Sequence, residues 1–348
     1  MTTLNAAADI ASARRRRITT GTKWLAALAV VAITTPFAFS EYHVFQATQI
    51  VVFAIAVLGF NLLTGFSGQI SLGNGSFYAL GSYTAVILMV HAGLPYWLTP
   101  VVAGAVCFAV GYLFGRSATR LEGIYLALAT FGLAIATPQI LKLDAIERWT
   151  GGAQGQVISK PESPIGLVSN DQWLYFFCLA VAVVLFAAAW NVLRGRTGRA
   201  LIALRDHPIA AGTMGIHVPA YKAAVFGVSA MYTGVAGALG ALVAGFVAPD
   251  SFTYAVSIGF MIGGVVGGVN SIFGALFGAA FIELVPDLTK QASELHPALK
   301  WLADVQWPAY GVLLIVTVLA MPNGLAGVVW RVRARLARRA AATPTSRP

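Results

Sequence analysis

Two stretches of this sequence concentrate the side chains able to bind or dock something polar. Residues 59–83 read GFNLLTGFSGQISLGNGSFYALGSY and set Asn61, Gln69, Ser71 and Asn74 among glycines at 59, 65, 68, 73, 75 and 81. Amides and hydroxyls hold a solute by hydrogen bonds; they do not cut bonds or relay protons by themselves. Residues 194–222, RGRTGRALIALRDHPIAAGTMGIHVPAYK, crowd Arg194, Arg196, Arg199 and Arg205 ahead of a small neutral patch, Ile209 to Ile216. That combination suits docking, with charge to steer a partner and small residues to let it approach closely. A solvated basic turn is the plainer reading of the same residues. Groups for bond-making chemistry are not assembled anywhere. His43, His91, His207, His217 and His296 fall in loops or at the ends of apolar runs, and Cys107 and Cys178 lie inside apolar runs as small hydrophobes. Neither a nucleophile–His–acid set nor a metal-ligand cluster is recognisable, and no G-x-x-x-x-G-K-[ST] occurs. No catalytic or metal site and no cofactor are expected; if ATP is used, partner subunits bind it with Mg and hydrolyse it.

The elements that must position these stretches are membrane helices. Of 348 residues, 58% are hydrophobic and 10% charged, against about 25% charged for a soluble domain. Apolar runs near the ~20 residues that cross a bilayer lie at about 23–40, 44–63, 77–92, 97–115, 121–141, 172–193, 221–248, 254–270, 271–290 and 308–328. The expected fold is an all-α polytopic membrane protein of about ten transmembrane helices, with broken or re-entrant helices. Residues 23–328 form the transmembrane domain, between a basic segment at 1–22 and a basic tail at 329–348. The run 23–40 has a second reading as a signal-peptide core, because Ala38-Phe39-Ser40 loosely resembles a cleavage site; its length favours a retained span. The pair at 254–290, parted only by Asn270 and Ser271, reads either as two spans or as a re-entrant hairpin.

Net charge is +10, and its distribution argues for orientation rather than nucleic-acid binding. With the N-terminus inside, the inner segments 1–23, 116–122, 194–222 and 329–348 hold eighteen Lys/Arg and three acids. The outer segments hold five Lys/Arg and nine acids, and Glu283 lies within a span. Both termini and the 194–222 loop are therefore expected on the cytoplasmic side, with 142–171 as an external loop. The basic tail suits anionic lipid.

The glycine-rich polar stretch at 59–83 poorly serves an unbroken helix. Backbone that leaves a helix inside a membrane must line a cavity or be buried in protein. Such breaks often meet a translocated solute, though a tight inner turn near residue 65 is needed in any case. A loose counterpart lies in the second half, where Gly263/Gly267, Gly264/Gly268 and Gly274/Gly278 form small-xxx-small pairs, whose ordinary role is helix contact. The scarcity of ionisable groups inside spans, with Glu283 one turn from Asp287 as the exception, counts against a proton-driven carrier.

Taken in order, several motifs resemble the permease subunit of ABC importers for branched-chain amino acids. They are Asn61-Leu62-Leu63-Thr64-Gly65 with Gly68-Gln69-Ile70-Ser71-Leu72-Gly73, Ala79-Leu80-Gly81-Ser82-Tyr83-Thr84, Gly123-Ile124-Tyr125-Leu126-Ala127-Leu128 and Thr150-Gly151-Gly152. Gly198-Arg199-Ala200-Leu201 follows, running into Ile209-Ala210-Ala211, Gly215-Ile216 and Tyr221-Lys222, then Gly234-Val235-Ala236-Gly237-Ala238-Leu239 and Pro249-Asp250-Ser251-Phe252. Gly267-Gly268-Val269-Asn270-Ser271 and Met321-Pro322-Asn323-Gly324-Leu325 complete the set. The resemblance covers about residues 50–328. It departs at Asn74-Gly75-Ser76, where the family often has His-Ala/Gly-Ala, and at His207-Pro208-Ile209, where it often has an acid.

The resemblance implies a subunit of the bacterial inner membrane that pairs with a second homologous permease, binds two ATPase subunits inside and receives substrate from an external binding protein. It implies that the 194–222 loop couples to the ATPases through Arg199, Arg205, Ile209, Ala210, Ala211 and Gly215. Asn61, Gln69, Ser71 and Asn74 are the candidate translocation-path residues. Urea or a short amide is the rival substrate within this class; an ion-coupled carrier or channel is the rival from another.

Overall fold

The computed structural model describes residues 40–118, 121, 123–164 and 168–295, together with positions 34, 36, 37, 311, 315, 324, 325 and 327. The expected spans at 23–40 and 308–328, apart from those few positions, lie outside the described residues, as do the basic segments at either end. What is described is helical almost throughout. Helix α1 (Glu41–Phe60) runs directly into a π-helical turn, Asn61–Phe66, and after a break α2 (Asn74–Ala92) begins. Then come α3 (Thr99–Ala118), α4 (Ile124–Leu141), α5 (Asn170–Arg194), the short α6 (Arg196–Asp206) and α7 (Pro208–Thr213), α8 (Val218–Ala244), α9 (Tyr254–Gly267) and α10 (Gly274–Leu295). Among the described residues, seven helical stretches are long and apolar enough to cross a membrane.

Local signals set several boundaries. Ser169 and Gln172 form a reciprocal capping box at the start of α5. His217 Nδ1 accepts the Ala220 amide at 3.2 Å as α8 begins, with Pro219 in its first turn. Helix α6 is the amphipathic exception. It buries Gly198, Ala200, Leu201 and Leu204 and exposes Arg196 and Arg199, so it lies along the surface instead of crossing.

The spine of the molecule is α8, almost wholly buried and packed on α1, α2 and α3. Small residues make this possible. A Cβ on Gly81 would fall on the carbonyl of Gly234, and one on Gly237 on that of Tyr78. Against lipid, where apolar chains gain little by leaving the solvent, such close backbone contact is a main source of helix association.

Between residues 254 and 290 the chain runs from one face of the molecule to the other and back. Upstream of α9, Asp250 pairs with Lys142 at the end of α4 (2.6 Å), on one face of the molecule. Downstream, Asn270 meets Arg205 at the other face. Helix α10 then returns, its Asp287 accepting from Tyr42 Oη (2.7 Å) and Gln46 Nε2 (3.0 Å) at the start of α1. Helices α9 and α10 therefore run antiparallel, and Pro249–Gly267 is long and apolar enough to span. The glycines serve as helix contacts, with Gly267 against Gly274 and Gly278 against Gly263 between α9 and α10, and Gly264 against Phe60 at the end of α1.

On the Lys142 face, two short strands pair antiparallel: β1 (Gln156–Val157) and β2 (Phe246–Val247), with Gln156 opposite Val247. They pin the 142–171 loop to the exit of α8, helped by the Ile158 amide donating to the Gly245 carbonyl at 2.9 Å.

Candidate functional site

The first break is a re-entry of the chain. After the π-turn, Gln69 Nε2 donates to the Lys222 carbonyl (3.2 Å) at the start of α8 and to Ser67 Oγ (3.0 Å). Five residues later, Asn74 Nδ2 reaches Ser229 Oγ (3.5 Å) and Thr233 Oγ1 (3.3 Å) of the same helix. At 1.5 Å per residue these partners lie roughly 10–17 Å deeper along α8 than Lys222. Residues 69–73 therefore climb back into the bundle as non-helical chain.

Three amides along and just after this climb donate to side-chain hydroxyls. Leu72 N–H donates to Thr130 Oγ1 of α4 (2.9 Å), Gly73 N–H to Ser71 Oγ (3.2 Å) and Gly75 N–H to Ser257 Oγ of α9 (2.8 Å). An unpaired amide at that depth costs several kcal/mol in hydrocarbon, and two helices, α4 and α9, together with Ser71 of the break itself supply the hydroxyls that prevent it. Gln69, Ser71 and Asn74 are buried in this arrangement. So is Asn61, whose Nδ2 donates to the Ser271 carbonyl at 3.2 Å and whose Oδ1 has no partner among the described residues. Thr130, Ser229, Thr233 and Ser257 were not singled out in the sequence, where each reads as a small residue in an apolar run.

The second break, residues 268–273, packs directly on the first. A Cβ on Gly65 would fall on the Val269 carbonyl, and Asn61 reaches over to Ser271. Two interruptions about 200 residues apart in sequence thus form one unit. Beside it opens a cavity of about 590 Å³, bordered by Phe66, Trp190, Arg194, Asn270 and Phe273 among others. Arg194 lies over the Trp190 ring at 4.1 Å. A second, apolar cavity of about 310 Å³ lies between α5, α6 and α8. Asn61, Gln69, Ser71 and Asn74 line neither cavity. In this conformation they shape the break, while Ile70 beside them is exposed.

The basic loop divides into α6 and α7, joined at His207-Pro208. Its residues do not all face one way. Ala211 is buried, whereas Arg199, Ala210 and Gly215 are exposed. Ile209 and Met214 project furthest, at 86% and 83% exposure. Gly215 holds a left-handed φ of +85° with open space around it, closing the turn that brings Ile216 N–H to the Ala211 carbonyl at 3.1 Å. Arg205 points the other way, into the bundle. Its Nη1 donates to the Gly65 carbonyl (3.0 Å) and to Asn270 Oδ1 (2.9 Å), and its Nε to Asp206 (3.0 Å).

Residues 42–321 match the family model described as the branched-chain amino acid transport system permease component. The chain belongs to that family. This permease is 36% identical over 258 residues to the high-affinity branched-chain amino acid transport system permease protein LivM of Salmonella typhimurium. It is 35% identical over 258 residues to LivM of Escherichia coli. Each match covers 67% of this chain and 60% of the relative, so the chain spans about 60% of the length of the curated relatives it matches. Among solved structures it is similar to PsaBC from Streptococcus pneumoniae in complex with Fab, at 14% identity and a TM-score of 0.40, over 83% of this chain and 95% of that one. With the family established and seven helical stretches described that are long and apolar enough to cross a membrane, this chain is an all-α, multi-pass membrane protein.

Proposed function

We propose that this chain is the transmembrane subunit of an ATP-driven importer for branched-chain amino acids in a bacterial inner membrane. It works beside a second homologous permease, with two ATPase subunits on the α6–α7 side and an external binding protein at the opposite face. The carrying observation is the α6–α7 unit on a chain of this family. One side is buried against the bundle and the other offers Ile209, Ala210 and Met214 to whatever docks there. Ile209 and Met214 are the most exposed large apolar side chains among the described residues, which suits a surface that a partner covers. The sequence contains no P-loop of the G-x-x-x-x-G-K-[ST] kind, so in this reading hydrolysis belongs to the partners, which also hold ATP and Mg.

On the translocation side, the substrate meets the exposed part of the 66–73 break. Asn61, Gln69, Ser71 and Asn74 hold that backbone in place. Apolar surface with a few fixed polar groups suits a hydrophobic zwitterion. Urea or a short amide is the competing substrate, and an ion-coupled carrier the competing class.

Gentle affinity purification from the native membrane, with co-purifying subunits identified by mass, is the first test. Recovery of ATPase subunits and a second permease is the expected outcome; reproducible recovery of this chain alone would count against it. Uptake of labelled leucine by the reconstituted complex should be competed by isoleucine and valine and not by urea. For the docking surface, Ala210→Trp, at an exposed position of ordinary helical backbone on α7, should lower transport roughly tenfold or more, the scale of a lost interfacial anchor, while leaving the protein folded. Wild-type uptake by that variant would remove the docking role.

A further inference from the structure

The position of Arg205 carries an inference that rests on the importer reading and deepens it. Helix α6 is a surface helix, yet the guanidinium of its penultimate residue is turned into the bundle. There one nitrogen, Nη1, donates to both interrupted segments at once: to the Gly65 carbonyl at 3.0 Å and to Asn270 Oδ1 at 2.9 Å. Asp206 holds the Nε edge at 3.0 Å and so fixes the plane of the fork. The stem lies across Gly68, whose φ is +74°, and a Cβ there would stand 2.9 Å from Arg205 Cγ. Glycine is thus required twice over at that position, for its left-handed backbone and for the space. Behind the guanidinium the two breaks touch through Gly65 and Val269 and through Asn61 and Ser271.

We propose that Arg205 is the strut through which the docking helices act on the translocation path. It is a positioning residue that ties α6 to both breaks, so that displacement of α6–α7 by the ATPases moves the 64–69 and 268–271 segments together. Lysine cannot replace it fully, because a single ammonium on a flexible stem lacks the planar fork that serves the carboxylate and the two oxygens together. Helix α7, by contrast, carries the surface the partner touches. Docking and transmission are therefore separate residues on neighbouring helices.

The test uses the whole transporter reconstituted in vesicles, with substrate uptake and ATP hydrolysis measured on the same preparation. Arg205→Met should lower substrate moved per ATP hydrolysed roughly tenfold, on the scale of a lost charge-assisted hydrogen bond; hydrolysis should fall far less than uptake. Arg205→Lys should lie between it and the wild type. Asn270→Ala, which leaves the guanidinium and its bond to Gly65 in place, should give a smaller fall in the same ratio, and should add little to Arg205→Met because one contact is being removed twice. Where Arg205→Met fails to assemble, Asn270→Ala alone decides. An unchanged ratio in the assembled variants would overturn the strut, as would equal loss of uptake and hydrolysis, the signature of a merely structural residue. If uptake by the wild-type complex proves independent of ATP, the importer reading itself falls, and the strut with it.

Discussion

The two interruptions in the bundle face the same difficulty and meet it by different means. Both take the backbone out of helix, the first inside the bundle and the second at the face where Asn270 is exposed. At residues 66–73 the solution is chemical: hydroxyls from Thr130, Ser71 and Ser257 accept the freed amides, and Asn74 and Gln69 tie the segment to α8. At residues 268–273 it is steric. Helices α9 and α10 close on each other through bare glycine backbone, and the turn is short, with Ser271 N–H donating to the Gly268 carbonyl and Gly274 N–H to Ser271 Oγ. The lesson is that a break meant to present polar backbone needs donors and acceptors brought from several helices, whereas a break meant only to reverse the chain needs small residues.

Substitutions can break that contrast at either end. Gly278→Val should have the largest effect. Its Cβ would fall on the Gly263 carbonyl, and overpacking against backbone costs about 3 kcal/mol or more; the purified protein should lose its thermal transition or its yield. Thr130→Val should act on the first break only. The shape is nearly kept, but the Leu72 amide loses its acceptor, at about 1–3 kcal/mol. A melting shift no larger than that of an exposed control would contradict this account. Ser257→Ala removes the acceptor of Gly75 N–H and should cost about 1 kcal/mol. Because the two hydroxyls serve neighbouring parts of one segment, the double variant should depart from additivity, which a double-mutant cycle measures. Lys142→Ala, at the far face, breaks an ion pair whose Asp250 partner is 72% exposed. It should change the melting temperature least, by the equivalent of less than about 1 kcal/mol.

These outcomes also mark where the sequence was readable. The spans followed from apolar length: of the eight expected between 44 and 290, seven fall on helical stretches long and apolar enough to cross, and the eighth, 271–290, falls on helix α10. The polar break followed from glycine and amides where a helix was due, and the glycine pairs read correctly as helix contacts. Beyond reach was the meeting of the two breaks, because a contact across about 200 residues leaves no periodic trace. Arg205 was named as a coupling residue, but its inward contacts were hidden for a related reason. It sits in a run of arginines that positive-inside orientation explains equally well, and only the turn at His207-Pro208 and the opening above Gly68 send it inward. The supporting hydroxyls were hidden by their surroundings: a lone Thr or Ser in an apolar helix gives no sign of whose amide it serves.

The centrality of α8 has a consequence for how the protein is made. Helices α1, α2 and α3 form a groove whose glycines, among them Gly59, Gly81, Gly104 and Gly111, have α8 as their neighbour. Yet α8 begins 100 residues after α3 ends, by subtraction of 118 from 218. At about 5–20 residues per second of synthesis, the groove waits roughly 5–20 s with lipid in place of its helix. Insertion of α8 is then an exchange of lipid for protein, and any factor that shields the half-built groove would set the yield of finished transporter.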